Sequence, residues 1–176
     1  LKSVGWQSTW ALRICRHAIV GTLTVAWRTM AATADLQPVF LDTAYVNALI
    51  NTRDQWHEAA VQWERQLATD RRQLITTEFV LVEIADGLAR VRFRLQAAQL
   101  IAALQASALV EIVPASSDLF TAALELYRNR PDKDWGLTDC ASFVAMREHS
   151  LSEALTTDEH FRQAGFRALL LEVAPI

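Results

Sequence analysis

Glycine and proline are scarce in this 176-residue chain, at five and four residues. That scarcity excludes a collagen-like or low-complexity polymer. Cysteine is scarcer still: Cys15 and Cys140 are too few and too far apart for a disulfide framework or a zinc site. Lysine occurs only as Lys2 and Lys133. The longest apolar run, residues 18–27, has ten residues, where a membrane-spanning helix needs roughly 20. Nor is there a global excess of positive charge. Seventeen basic residues against 20 acidic leave a formal net charge of −3, so the chain as a whole carries no nucleic-acid signature. What is plentiful is apolar side chain, at 52%, which excludes disorder and suffices for one domain with a real core.

The charge is unevenly placed. Residues 1–29 contain Lys2, Arg13, Arg16 and Arg28 and no acid, together with Trp6, Trp10 and Trp27. Residues 30–176 hold 13 basic and 20 acidic residues, a net −7. The basic stretch, the apolar run and Ala32-Thr33-Ala34 imitate a secretory signal, but Arg28 interrupts the pattern where the cleavage region should begin. The expectation is that translation starts at Met30 and that the leader is an upstream over-extension of the reading frame. A signal peptide and an appended helix are the alternatives. Residues 1–38 are accordingly taken as an extension outside the fold, and residues 39–173 as the domain.

Within 39–173, short apolar runs alternate with helix-length amphipathic segments. Strands are expected at 39–41, 74–76, 109–113, 153–156 and 167–173. Helices are expected at 43–50, from Asp54 onward, at 79–90, 95–108, from Ser116 or Ser117 to 127, from a Thr138 cap to 149, and at 158–163. The helix after Asp54 puts Trp56, Ala60, Trp63 and Leu67 on one face, which reads as core and not as a set of base-stacking platforms. Five strands interleaved with helices imply an α/β, three-layer fold with a mostly parallel sheet.

In such a sheet the working crevice lies beyond the carboxyl ends of the strands. Asp42 directly follows the first strand, Asp158 follows the fourth, Asp139 lies in the first turn of a helix, and Glu83 lies one to two turns into another. Glu83, Asp139 and Asp42 have no basic partner at helical spacing, whereas Arg162 stands four residues after Asp158. Carboxylates gathered in one crevice must share protons or hold a counter-charge. No lysine is placed to serve, and an all-oxygen set suits Mg²⁺ or Mn²⁺.

Four stretches carry a family resemblance: Val-Phe-Leu-Asp-Thr at 39–43, Glu-Phe-Val-Leu-Val-Glu-Ile at 78–84, Leu-Thr-Asp-Cys-Ala-Ser-Phe at 137–143, and Ala-Leu-Thr-Thr-Asp-Glu-His-Phe at 154–161, closed by Ala-Gly-Phe at 164–166. The segment 54–60 is a fifth, weaker match. In this order and spacing the chain resembles the PIN-domain family, specifically the ribonuclease toxins of VapBC-type toxin–antitoxin modules. The resemblance implies a three-layer α/β/α fold and metal-dependent endonucleolytic hydrolysis of RNA. Asp42, Glu83, Asp139 and Asp158 would hold Mg²⁺ or Mn²⁺, with Thr43 ordering water or a carboxylate beside them and Asp134 as an extra acid near the metal. It also implies an antitoxin partner, a second toxin copy and a cytoplasmic location with no membrane role. The alternatives are a PIN nuclease of RNA processing and a non-catalytic PIN-like module that binds RNA or a partner.

Rival folds with acids at strand ends fail on particular residues. A haloacid-dehalogenase phosphatase needs a second Asp where Ala44 stands, and a receiver domain needs a lysine where the chain has Val173, Ala174 and Pro175. A P-loop needs Gly-x4-Gly-Lys, which is absent, and a dinucleotide fold needs a glycine-rich turn where Asp42 is followed by Thr-Ala-Tyr. RNA still requires local positive charge. Of three clusters (Arg71 and Arg72; Arg90, Arg92 and Arg94; Arg128, Arg130 and Lys133), the last is nearest in sequence to Asp139. His57, His149 and His160 are expected to be packing or surface residues, and Cys140 a small core residue.

Overall fold

The computed structural model describes residues 36–172; the proposed start at Met30 and the leader before it lie outside the described residues. Five strands form one sheet: β1 (Val39–Leu41), β2 (Leu74–Thr77), β3 (Val110–Val113), β4 (Glu153–Leu155) and β5 (Arg167–Ala168), in the order β3-β2-β1-β4-β5. Every pairing is parallel, with Phe40 opposite both Ile75 and Ala154. All three residues of β1 are buried, as a central strand covered on both faces demands. The chain runs from β1 to one side of the sheet and then returns to the other. The reversal between β1 and β4 opens a crevice at their carboxyl ends.

Seven α-helices join and cover the strands among the described residues: α1 (Thr43–Ile50), α2 (His57–Asp70), α3 (Glu78–Gly87), α4 (Val91–Ala106), α5 (Ser117–Asn129), α6 (Leu137–Glu148) and α7 (Glu159–Gln163). This is the expected three-layer α/β fold, with local differences. Helix α2 begins at His57 because Asp54 closes a turn first, its Oδ1 accepting the Trp56 N–H at 2.8 Å. Gly136, not Thr138, caps α6. The last strand is two residues long and passes into a 3-10 turn at Leu169–Leu171. No helix among the described residues is long and apolar enough to cross a membrane.

The stripe on α2 is core as expected: Ala60 and Leu67 are buried, and Trp56 and Trp63 pack partly buried against them. An aromatic cluster closes the site end of the domain. Phe143 on α6 meets Trp135 and Phe161 edge-on, each with ring centroids 5.0 Å away, and lies 5.8 Å from Phe166. Phe161 reaches Phe40 of β1 at 6.0 Å. Cys140 is buried beside them in sequence.

Gly165 ends the turn after α7 with φ +94°. A Cβ there would meet nothing within 4 Å, so space is not the constraint. Gly165→Ala is therefore expected to cost about 1–2 kcal/mol through backbone strain alone, measurable by urea unfolding. At the opposite end, where the strands start, Arg72 donates to the Gln37 carbonyl at 2.7 Å and pairs with Glu153 at 2.6 Å. Glu153 also pairs with Arg167, which holds Glu172.

Candidate active site

Asp42 leaves β1 and caps α1, its Oδ2 accepting the Ala44 N–H at 3.3 Å. The same oxygen accepts the hydroxyl of Thr156, just past β4, at 2.6 Å. Thr156 in turn accepts the Asp158 N–H at 2.9 Å, so one buried hydroxyl links two of the acids across the strand-order reversal. Burial pushes the Asp42 carboxyl from 3.8 up to about 7, against the lowering effect of the Thr156 and backbone bonds and with a smaller push from Glu83. Thr43 donates to Glu83 Oε2 at 2.9 Å, fixing a carboxylate on α3 against the start of α1. Glu83 is exposed as a residue, but partial burial of its carboxyl, followed by Asp139 and Asp158, raises its pKa despite the Thr43 bond.

Asp139 sits in the first turn of α6 and reaches back to accept the Gly136 N–H at 2.8 Å, an arrangement that holds a carboxylate at a helix start. The helix dipole and that bond favour its charged form, yet burial, aided by Asp158, outweighs them and raises its pKa. Asp158 caps α7, with Oδ1 accepting the His160 N–H at 2.8 Å. The imidazole Nδ1 of His160 lies 3.2 Å from Asp139 Oδ2 and 3.3 Å from Asp158 Oδ2. The Asp158–Arg162 pairing considered from spacing does not form. Arg162 turns instead to Glu159 at 3.0 Å, and Asp158 stays available to the crevice.

The four acids therefore come from the carboxyl ends of β1 and β4 and from two helices packed beside them. Among the described residues, no lysine or arginine pairs with any of the four. Carboxyls pushed up by burial and by one another have His160 as their one neighbouring base among these residues and no permanent cation, and oxygen donors of this kind fit a hard divalent cation. The model of the PIN domain matches residues 39–167, the segment that carries the sheet and all four acids. The chain belongs to the PIN-domain family.

Two comparisons place this PIN domain more closely. The 23S rRNA-specific endonuclease VapC20 of Mycobacterium tuberculosis, in strains CDC 1551 / Oshkosh and ATCC 25618 / H37Rv alike, is 31% identical over 137 residues, which is 78% of this chain and 98% of the relative. The crystal structure of Mycobacterium tuberculosis VapC20, described as a sarcin-ricin loop cleaving toxin, is similar with a TM-score of 0.63 and 28% identity. It covers 73% of this chain and 95% of that one.

Other residues singled out in the sequence fall outside the carboxylate group of the PIN domain. Asp134 is exposed on the loop before α6 and makes no hydrogen bond among the described residues. Arg130 forms a two-bond fork with Asp132, at 2.9 and 3.0 Å, and its guanidinium stacks 4.7 Å from the Trp135 ring. The fork holds the Asp132 carboxyl down at about 2. Lys133 stands 3.7 Å from the same carboxylate, while Arg128 is exposed. Two of the three cations considered for RNA thus already share one acid.

Sequence reasoning missed two contributors. Thr156 was visible only as part of a Thr-Thr-Asp run, with nothing to say that its hydroxyl would meet an Asp 114 residues away. His160, expected at a packing or surface position, faces the carboxylates. Its signal was its position two residues past an Asp that caps a helix, which turns the side chain toward the cap.

Proposed function

We propose that this PIN domain is a divalent-metal-dependent endoribonuclease acting as the toxin of a toxin–antitoxin module, with Asp42, Glu83, Asp139 and Asp158 holding Mg²⁺ or Mn²⁺. The observation that carries this reading is the convergence of four carboxyls, three with pKa values raised, on one crevice with no lysine or arginine paired to them. A divalent cation bound there would polarise a phosphoryl oxygen and make water a nucleophile at neutral pH. The chain's own residues do the holding. Thr156 and the Ala44 N–H orient Asp42, Thr43 orients Glu83, Gly136 fixes Asp139, and the α7 start fixes Asp158.

The likeness to VapC20 supports large-subunit ribosomal RNA as the substrate class to test first, and a cognate antitoxin and a second copy of this chain as partners. Such a role is cytoplasmic. For RNA contact, Arg128 is the member of its cluster not committed to Asp132, with Arg130 and Lys133 available only if that acid is displaced.

The test is incubation of the purified protein with 23S rRNA and with its isolated stem-loops, in Mg²⁺, in Mn²⁺ and in chelator. Discrete cleavage that chelator abolishes is the expected result. Absence of cleavage with either metal, together with RNA binding, would favour the non-catalytic module. Thr156→Val removes the hydroxyl that orients Asp42 while keeping its shape. It is expected to lower divalent-metal affinity by about 10- to 100-fold, the usual effect of losing a ligand-orienting partner, measured by isothermal titration calorimetry.

A further inference from the structure

The geometry points to His160 as a nitrogen ligand in this metal centre, one that biases the site toward Mn²⁺ over Mg²⁺. The inference rests on the metal-centre reading above and adds to it a donor that an all-carboxylate quartet does not contain. The three described histidines differ in what their Nδ1 atoms meet. In His57, Nδ1 is 2.9 Å from the Ala48 carbonyl, and in His149 it is 2.9 Å from the Ala145 carbonyl. Both rings are engaged by backbone. The Nδ1 of His160 has no backbone partner, and its polar neighbours are the carboxylates of Asp139 and Asp158.

The spacing fits shared coordination. One donor atom each from Asp139, Asp158 and His160 lie within 4.8 Å of one another. Donors about 2.1 Å from an octahedral cation stand about 3.0 Å apart when adjacent and about 4.2 Å apart when opposite. The observed 3.2 and 3.3 Å from Nδ1 to the two carboxylates are near the first value. Position is also constrained along the chain. The Asp158 cap on the His160 N–H ties the backbone of the two residues together, and the neighbouring Phe161 is buried in the aromatic cluster, so the backbone that carries His160 is held beside the acids.

The donor type then decides selectivity. Mg²⁺ prefers oxygen and gives up water reluctantly, so an imidazole adds little to its binding. Mn²⁺ also favours oxygen but is softer and gives up water more easily than Mg²⁺, so it gains more from an imidazole, though less than the later first-row ions do.

The test uses the full chain at about pH 8, with Mn²⁺ itself as the spectroscopic probe and Mg²⁺ as competitor. Electron spin-echo modulation of bound Mn²⁺ is expected to carry the signature of a directly coordinated nitrogen. In His160→Asn that signature should vanish. Mn²⁺ affinity should fall by about tenfold or more while Mg²⁺ affinity changes by less than about twofold. Mn²⁺ bound to the unmodified protein without nitrogen modulation would overturn the inference, and that measurement holds even if the variant folds poorly. Equal losses of Mn²⁺ and Mg²⁺ affinity in a folded variant would overturn it as well. Failure of the unmodified chain to bind either ion would instead overturn the metal centre itself, and the inference with it.

Discussion

Asp42→Asn is expected to cut RNA cleavage by more than about 100-fold and, in chelator at neutral pH, to make the protein more stable. The first effect follows from removing a charge proposed to hold the cation, a greater loss than that of an orienting partner. The second follows from burial. The folded carboxyl takes up its proton near pH 7, whereas in the unfolded chain it does so near 3.8. Between those values the folded state binds the extra proton, so the stability this group contributes is full below about pH 4 and is lost as pH rises through about 7. The loss amounts to about 4 kcal/mol for a shift of this size. Asparagine keeps an oxygen for the Thr156 hydroxyl but has no proton to lose. Urea unfolding in chelator between about pH 4 and pH 8 should show the wild-type protein declining more steeply than the variant, whose remaining decline comes from the raised carboxyls of Glu83 and Asp139. A level wild-type profile would sink the account of Asp42. Saturating divalent cation should reverse the order at neutral pH, because it binds only the folded wild-type site.

Phe143→Ala is expected to destabilise the domain by about 3–5 kcal/mol, the range for truncating a fully buried aromatic. The ring is fully buried and meets Trp135, Phe161 and Phe166. Cleavage should fall with stability even under conditions where the variant stays folded. The ring joins α6, which carries Asp139, to α7, whose cap is Asp158, and metal-binding carboxylates tolerate little displacement. Denaturant unfolding and a metal titration on the same sample separate the two effects; a loss below about 1 kcal/mol would mean the cluster is looser than its ring contacts indicate.

The architecture was largely legible in the sequence because its signals are local. Val39-Phe40-Leu41 reads as a short buried strand, and the alternation of such runs with amphipathic helices leaves few folds open. Asp42 and Asp158 stand just past strands, where the crevice of a parallel sheet is expected to be lined. What stayed hidden depends on contacts between distant segments. The rise of Asp42 to about 7 comes from how deeply the folded chain buries it, which no spacing encodes. The Thr156 hydroxyl and the facing of His160 are set by sheet register and by the cap on α7. Competing partners were a further source of error: Arg162 stands four residues from Asp158 but three from Glu159, and the exposed residue took it.

The ion-paired residues Arg72, Glu153, Arg167 and Glu172 lie where the strands begin, and the carboxylates of the crevice lie where they end. Damage at the first end lowers the fraction of molecules that are folded, and through turnover their number in a cell, while each surviving molecule works unimpaired. Damage at the second end acts first on the chemistry and stops each molecule, whether or not more of them are folded. Two variants that look equally harmless in a growth assay can therefore be told apart by an immunoblot.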